Sequence, residues 1–111
     1  MRIILDENIP KYLKIVLVEY DVSTVQEEGW AGMRNGDLIS VIDDCFDVLI
    51  TADKNIKYQQ NLTERRIAIV QLYSNRLPLI KQIETKVIDA LENVVPGKYI
   101  EINAWHLIAG D

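Results

Sequence analysis

The feature that most constrains this chain is a set of short, uninterrupted apolar runs that each stop at an acidic turn. Ile3-Ile4-Leu5 gives way to Asp6-Glu7-Asn8, and Val48-Leu49-Ile50-Thr51 gives way to Ala52-Asp53-Lys54-Asn55. A strand with one face in water alternates apolar and polar side chains, whereas a run that is apolar throughout marks a strand covered on both faces. Segments of helical period separate these runs. Ile9, Leu13, Val16, Leu17 and Tyr20 fall on one face, and Leu38, Val41, Ile42 and Cys45 on another. Leu79, Ile80, Ile83, Val87, Ile88, Leu91, Val94 and Val95 form a third and longer stripe. Strands alternating with helices predict an α/β fold with a mainly parallel central sheet of four or five strands flanked by helices. Residues 21–25, 67–72 and 99–102 supply the remaining strands, the last at an edge. At 111 residues, positions 1–111 form a single domain that buries about two-thirds of its unfolded surface.

Local signals place the helix ends. Asn8 is a natural cap for the first helix, with Pro10 in its first turn, and Asn35 for the second. Pro78 opens the third helix and Pro96-Gly97 closes it. Residues 56–61 read as a short helix or irregular turn.

Bulk properties narrow the function classes. The single cysteine, Cys45, allows no internal disulfide and no thiolate metal site, and suits a reducing cytoplasm. No stretch reaches the roughly 18 apolar residues a membrane-spanning helix requires, and the first residues lack the pattern of a secretory signal. The expectation is a cytoplasmic protein without a membrane partner. Its net charge of −5, from 12 basic and 17 acidic residues, argues against a broad electrostatic grip on nucleic acid. Carboxylates that hold divalent cations would inflate that acidic count. Gly29, Gly32 and Gly36 do not follow a strand as a dinucleotide-binding fingerprint must. His106, beside Trp105, has no partner motif and reads as structural. Trp30 and Met33 fit either a partner-binding patch or a fold back onto the core.

In open parallel sheets, sites form beyond the carboxyl ends of the strands. That rule selects Asp6, Glu7 and Asn8, then Asp53, Lys54 and Asn55, then Ser74, Asn75 and Arg76. Asp37, at the start of the second helix, is expected to turn toward the same edge. Carboxylates brought together repel one another unless a cation sits among them. Mg²⁺ or Mn²⁺, as one or two ions, would relieve that repulsion and act on a phosphodiester. Each residue also has a plainer role. Asp6 and Asn8 can cap a helix, Asp37 can favour a helix dipole by about 0.3–1 kcal/mol, and Asp53 can cap the segment after it. Glu7 points away from Asp6 if the chain is still extended there. Lys54, Lys57 and Arg76 are either surface residues or contacts to phosphate, and Tyr58 either packs or stacks on a base. Asp43, Asp44 and Asp47 read as a solvated helix end.

The opening Ile3-Ile4-Leu5-Asp6-Glu7-Asn8-Ile9-Pro10, followed by Gly36-Asp37-Leu38-Ile39 and then Val48-Leu49-Ile50-Thr51-Ala52-Asp53-Lys54-Asn55, resembles a family of short bacterial PIN-like proteins of unassigned function related to VapC-type toxin nucleases. The similarity covers roughly the first two-thirds of the chain. It implies a PIN-like three-layer sandwich and a metal-dependent ribonuclease. Asp6, Asp37 and Asp53 match the family's acidic positions, and Asn8 and Asn55 the polar positions beside them. It further implies an RNA substrate, an antitoxin protein as partner and a homodimer. A fourth acidic position, near the next strand end, is filled here by Asn75. Two other functions compete. A non-catalytic PIN-like module would bind through the same rim without turnover. A receiver-type phosphoacceptor domain would use Asp6-Glu7 and Asp53, but expects a lysine after the fifth strand, where Asn103-Ala104-Trp105 stands.

Overall fold

A computed structural model describes residues 1–56 and 65–103 of the chain. Five strands and three helices follow in the order β1 (Arg2–Leu5), α1 (Tyr12–Val16), β2 (Asp21–Thr24), α2 (Asn35–Ile42), β3 (Val48–Thr51), β4 (Ala68–Leu72), α3 (Leu77–Glu92) and β5 (Tyr99–Ile102). The strands form one sheet, β2-β1-β3-β4-β5, in which every pairing is parallel.

Helices cover both faces of this sheet, which is why its inner strands are apolar at successive positions. Ile3 and Leu5 pack with Leu13 and Leu17 of the α1 region and with Ile80, Ile83, Val87 and Leu91 of α3. Ile4 and Leu49 point the other way, onto Leu38, Ile39 and Ile42 of α2 and onto Phe46. Period-two alternation of side chains sends neighbours in β1 to opposite layers. All four residues of β3 and all five of β4 are buried. The polar members among them, Thr51 and Gln71, need internal partners. Gln71 accepts a hydrogen bond from the Tyr99 hydroxyl on β5. β5 is an edge strand as expected, and three of its four residues are only half-buried.

Several local expectations change. Asn8 does not cap the first helix. The Ile9 N–H turns back to the Asp6 carbonyl at 3.0 Å, so the chain spends residues 6–11 in turns, and α1 starts at Tyr12 with Lys11 in the cap position. Asn35 is the first residue of α2 rather than its cap, which is Arg34. Cys45 lies beyond α2 and is exposed, as is Val95 beyond α3. The segment expected over 56–61 falls outside the described residues after Ile56, as do Lys57, Tyr58, Trp105 and His106. Among the described residues no helix is long and apolar enough to cross a membrane.

The sheet order locates the site. From β1 the chain moves outward to β2, then returns past β1 to build β3, β4 and β5 on the other side. β1 and β3 are therefore neighbours whose connections leave in opposite directions. At such a switch point the loops separate and open a crevice at the carboxyl ends of the strands.

Candidate active site

A cleft of about 460 Å³ lies at that position, within the range of small-ligand sites. Asp6, Glu7, Asn8 and Ile9 line it after β1, Ala52 and Asp53 after β3, and Tyr73, Ser74, Asn75 and Arg76 after β4. The loop from β2 into α2 closes one side with Val25, Trp30, Met33, Asn35 and Leu38.

Asp6 and Asp53 come together because β1 and β3 pair in register. Leu5 stands opposite Ile50, and the Asp6 N–H continues the ladder to the Ile50 carbonyl at 2.9 Å. The next residue of β3, Thr51, is fully buried. Its Oγ1 donates to Asp6 Oδ2 at 2.7 Å and accepts from the Asp53 N–H at 3.0 Å. One hydroxyl thus fixes the side chain of one acid and the backbone of the other. A buried hydroxyl with both roles filled is held in one orientation, and so are its partners.

The remaining carboxylate oxygens are also held. Asp6 Oδ1 accepts from the Glu7 N–H at 2.9 Å. Asp53 Oδ1 accepts from the Asn55 N–H at 2.9 Å, and its Oδ2 from Asn35 Nδ2 at 2.8 Å. A carboxylate oxygen has two lone-pair directions, so each keeps one after these bonds. Both groups are half-buried. They are oriented oxygen donors that retain capacity toward the cleft.

The structure separates the other residues singled out from sequence. Glu7 and Asn8 line the cleft with exposed side chains, and Arg76 lines its far wall. Asn55 contributes its backbone N–H to Asp53 but, like the exposed Lys54, does not line the cleft. Asp37, expected at the same rim, is exposed in the first turn of α2 and is not part of the lining. Its helix presents Asn35 and Leu38 to the cleft instead, and at about 100° per residue Asp37 sits about 200° round from Asn35. Among the described residues no group of three or more His, Cys, Asp or Glu side chains gathers as a metal cage.

Sequence reasoning gives Thr51 no role beyond its place in the T-x-D spacing, and gives Asn35 only a capping role. A signal for Thr51 exists. A hydroxyl at the end of a strand buried on both faces must find a partner inside the protein. Asn35 carries no comparable signal, because its bond to Asp53 joins elements whose approach only the fold sets.

The donor set is compatible with one hard cation. Mg²⁺ takes oxygen ligands, keeps several waters, and is commonly held by one or two carboxylates together with substrate phosphate. Asp6 and Asp53 match that demand. Comparison with known proteins gave no match to any family model, curated protein or solved structure.

Proposed function

We propose that the protein is a PIN-like, divalent-metal-dependent ribonuclease whose metal ligands are Asp6 and Asp53, and that it works with one Mg²⁺ or Mn²⁺. The observation that carries this reading is the Thr51 hydroxyl, which ties the Asp6 carboxylate to the Asp53 backbone at the switch point of a parallel sheet. Both acids line the same cleft with lone pairs left over, the oxygen donors a hard divalent cation takes.

The chain's own residues divide the work. Asp6 and Asp53 bind the ion, while Thr51, Asn35 and the backbone N–H groups of Glu7 and Asn55 hold their oxygens in place. A bound divalent ion supplies charge neutralisation at a phosphodiester and acidifies a coordinated water. Arg76, exposed on the opposite wall, meets the phosphate's remaining negative charge. A divalent ion would cancel the charge of Asp6 and Asp53 where a polyanion must approach, which offsets the objection raised by the net charge of −5. On this reading an antitoxin protein would act by covering the cleft.

Titration with Mn²⁺ should show one site per chain, and the same protein should cleave single-stranded RNA only when Mg²⁺ or Mn²⁺ is present. Cleavage by a rigorously purified Asp6→Asn variant at the wild-type rate would falsify the assignment. Metal binding with no turnover on any RNA would identify a binding module instead.

One observation favours a second reading. The order β2-β1-β3-β4-β5 is also that of flavodoxin-like folds, receiver domains among them. A phosphoacceptor at Asp53 with Asp6 and Glu7 beside it is the corresponding function. Against it, Lys98 precedes β5 rather than following it. Stable beryllofluoride uptake at Asp53 is the result that would favour it.

A further inference from the structure

The cleft has two unlike walls, and the metal-site reading uses neither in full. Trp30 and Met33 stand on the α2 side, packed against the cluster that contains Leu38 and Phe46. Tyr73 and Arg76 stand across the carboxylates, and Tyr73 packs on the α1/α3 side. A ligand spanning this space meets an apolar surface at one end, two acids in the middle and a cationic surface at the other.

Both walls are built rather than incidental. The loop that carries Trp30 has glycines at φ 80° and 85° (Gly29 and Gly32), a left-handed backbone that side-chain-bearing residues rarely adopt. Its turns are closed by the Trp30 N–H on the Val25 carbonyl at 3.0 Å and the Met33 N–H on the Trp30 carbonyl at 3.2 Å. The indole is set edge-on against Phe46, with centroids 6.1 Å apart and planes at 85°. Yet Trp30 and Met33 stay half-exposed. On the other wall the Tyr73 hydroxyl is shut away from water and finds no hydrogen-bond partner among the described residues. That hydroxyl is closed to a ligand, so the exposed Arg76 is the charged group this wall presents.

We propose that the cleft takes one nucleotide of a single RNA strand, its base against Trp30 and Met33 and its phosphate against Arg76. This rests on the metal-dependent reading for the orientation of the phosphate, and it adds the parts that would read the rest of the nucleotide. A flat, weakly polar base beside an anionic phosphate is the ligand chemistry that matches an aromatic wall and a basic wall flanking a cation-binding rim.

Calorimetric binding of a short single-stranded RNA, and of the same strand with an abasic centre, separates the two walls. Read in EDTA and again with Ca²⁺, the ratio of the two affinities isolates the base from the cation. The wild-type protein should bind the intact strand about tenfold tighter than the abasic one. Trp30→Ala should bring that ratio to about one, and Trp30→Phe should retain most of it, which guards against misfolding of the smaller variant. Arg76→Ala should weaken both strands about equally, because it removes the phosphate contact and leaves the base wall intact. Equal binding of intact and abasic strands by the wild type overturns the base subsite, even if Mn²⁺ still binds and Asp6→Asn still abolishes that binding. Unchanged affinity for both strands in Arg76→Ala overturns the role of Arg76. Loss of Mn²⁺ dependence with the base ratio intact overturns the metal reading alone.

Discussion

The two ends of the sheet are both acidic but use their acids differently. At the amino ends of the strands Asp47 Oδ2 accepts the Arg2 N–H at 2.7 Å, which satisfies the start of β1. Asp43 Oδ1 accepts two successive N–H groups, of Arg66 and Ile67, at 2.9 and 2.8 Å where the chain enters β4. Arg2 brings positive charge to that end, on Asp21 at 3.3 Å and over the Phe46 ring at 4.4 Å. At the carboxyl ends, Asp6 and Asp53 face a cleft whose lining, among the described residues, includes one basic side chain, Arg76. Carboxylates at one end close off backbone that would otherwise be unsatisfied. Those at the other are oriented by neighbours and left open. Acid count alone does not distinguish a site from a cap, whereas the identity of the donors does.

The sharpest way to break that contrast is to neutralise acids at each end. Asp6→Asn and Asp53→Asn should each lower cation affinity and metal-dependent cleavage at least about a hundredfold, because each removes a ligand. Asp47→Asn should leave both within about twofold, since it lies at the other end of the strands. Equal losses from both ends, measured by Mn²⁺ titration and RNA cleavage, would remove the functional distinction.

Thr51→Val tests whether the two acids act as a unit. Valine keeps the shape and deletes both hydrogen bonds of the buried hydroxyl. Cation affinity should fall about tenfold, as for other residues that orient ligands without binding the ion. Stability should fall by about 1–3 kcal/mol, read from urea unfolding, as the Asp53 N–H loses its acceptor. An unchanged Mn²⁺ affinity would mean that the acids are placed by backbone alone.

The same physics decides what could be read from the chain. β1 and β3 were legible because burial on both faces leaves an unbroken apolar run, and Asp6 and Asp53 followed from the strand-end rule. β4 reads as alternating, yet all five of its residues are buried. Gln71 sits inside because Tyr99 of β5 reaches it, a long-range partner that no local pattern announces. Asp37 misled because a helix start lies near the right edge whatever its rotation. Here the phase sends Asn35 and Leu38 to the cleft and Asp37 to solvent. Asn8 misled because capping propensity is local, while the turn from Asp6 to Ile9 is set by how β1 ends.

At the amino end, Asp43→Ala should cost about 1–3 kcal/mol of stability by orphaning the N–H groups of Arg66 and Ile67. Cation binding should not change. A stability loss with unaltered Mn²⁺ affinity is the reverse of the Asp6→Asn outcome, and the two variants together give a double dissociation between the ends.

The smallest effect comes from Glu27, a carboxylate beside the carboxyl end of β2 that is used like the acids at the opposite end. It accepts from Lys14 Nζ at 2.9 and 2.8 Å and from the Thr24 N–H at 2.9 Å, and its own N–H returns to Thr24 Oγ1 at 3.1 Å. The Lys14 ammonium first, and the Thr24 N–H second, hold its carboxyl below the usual glutamate range. A depressed folded-state pKa favours the folded protein above the unfolded value, about 4.3, and that contribution fades as pH falls through the folded pKa. Unfolding midpoints in urea should therefore fall less steeply with acid in Glu27→Gln than in the wild type. Both partners are exposed, so solvent screening keeps the difference small. The pH profile of Mn²⁺ binding should be the same in both proteins. If it moved with Glu27→Gln, the carboxyl end would hold a third acid coupled to the cation, and the division between closed and open carboxylates would have to be redrawn inside that end.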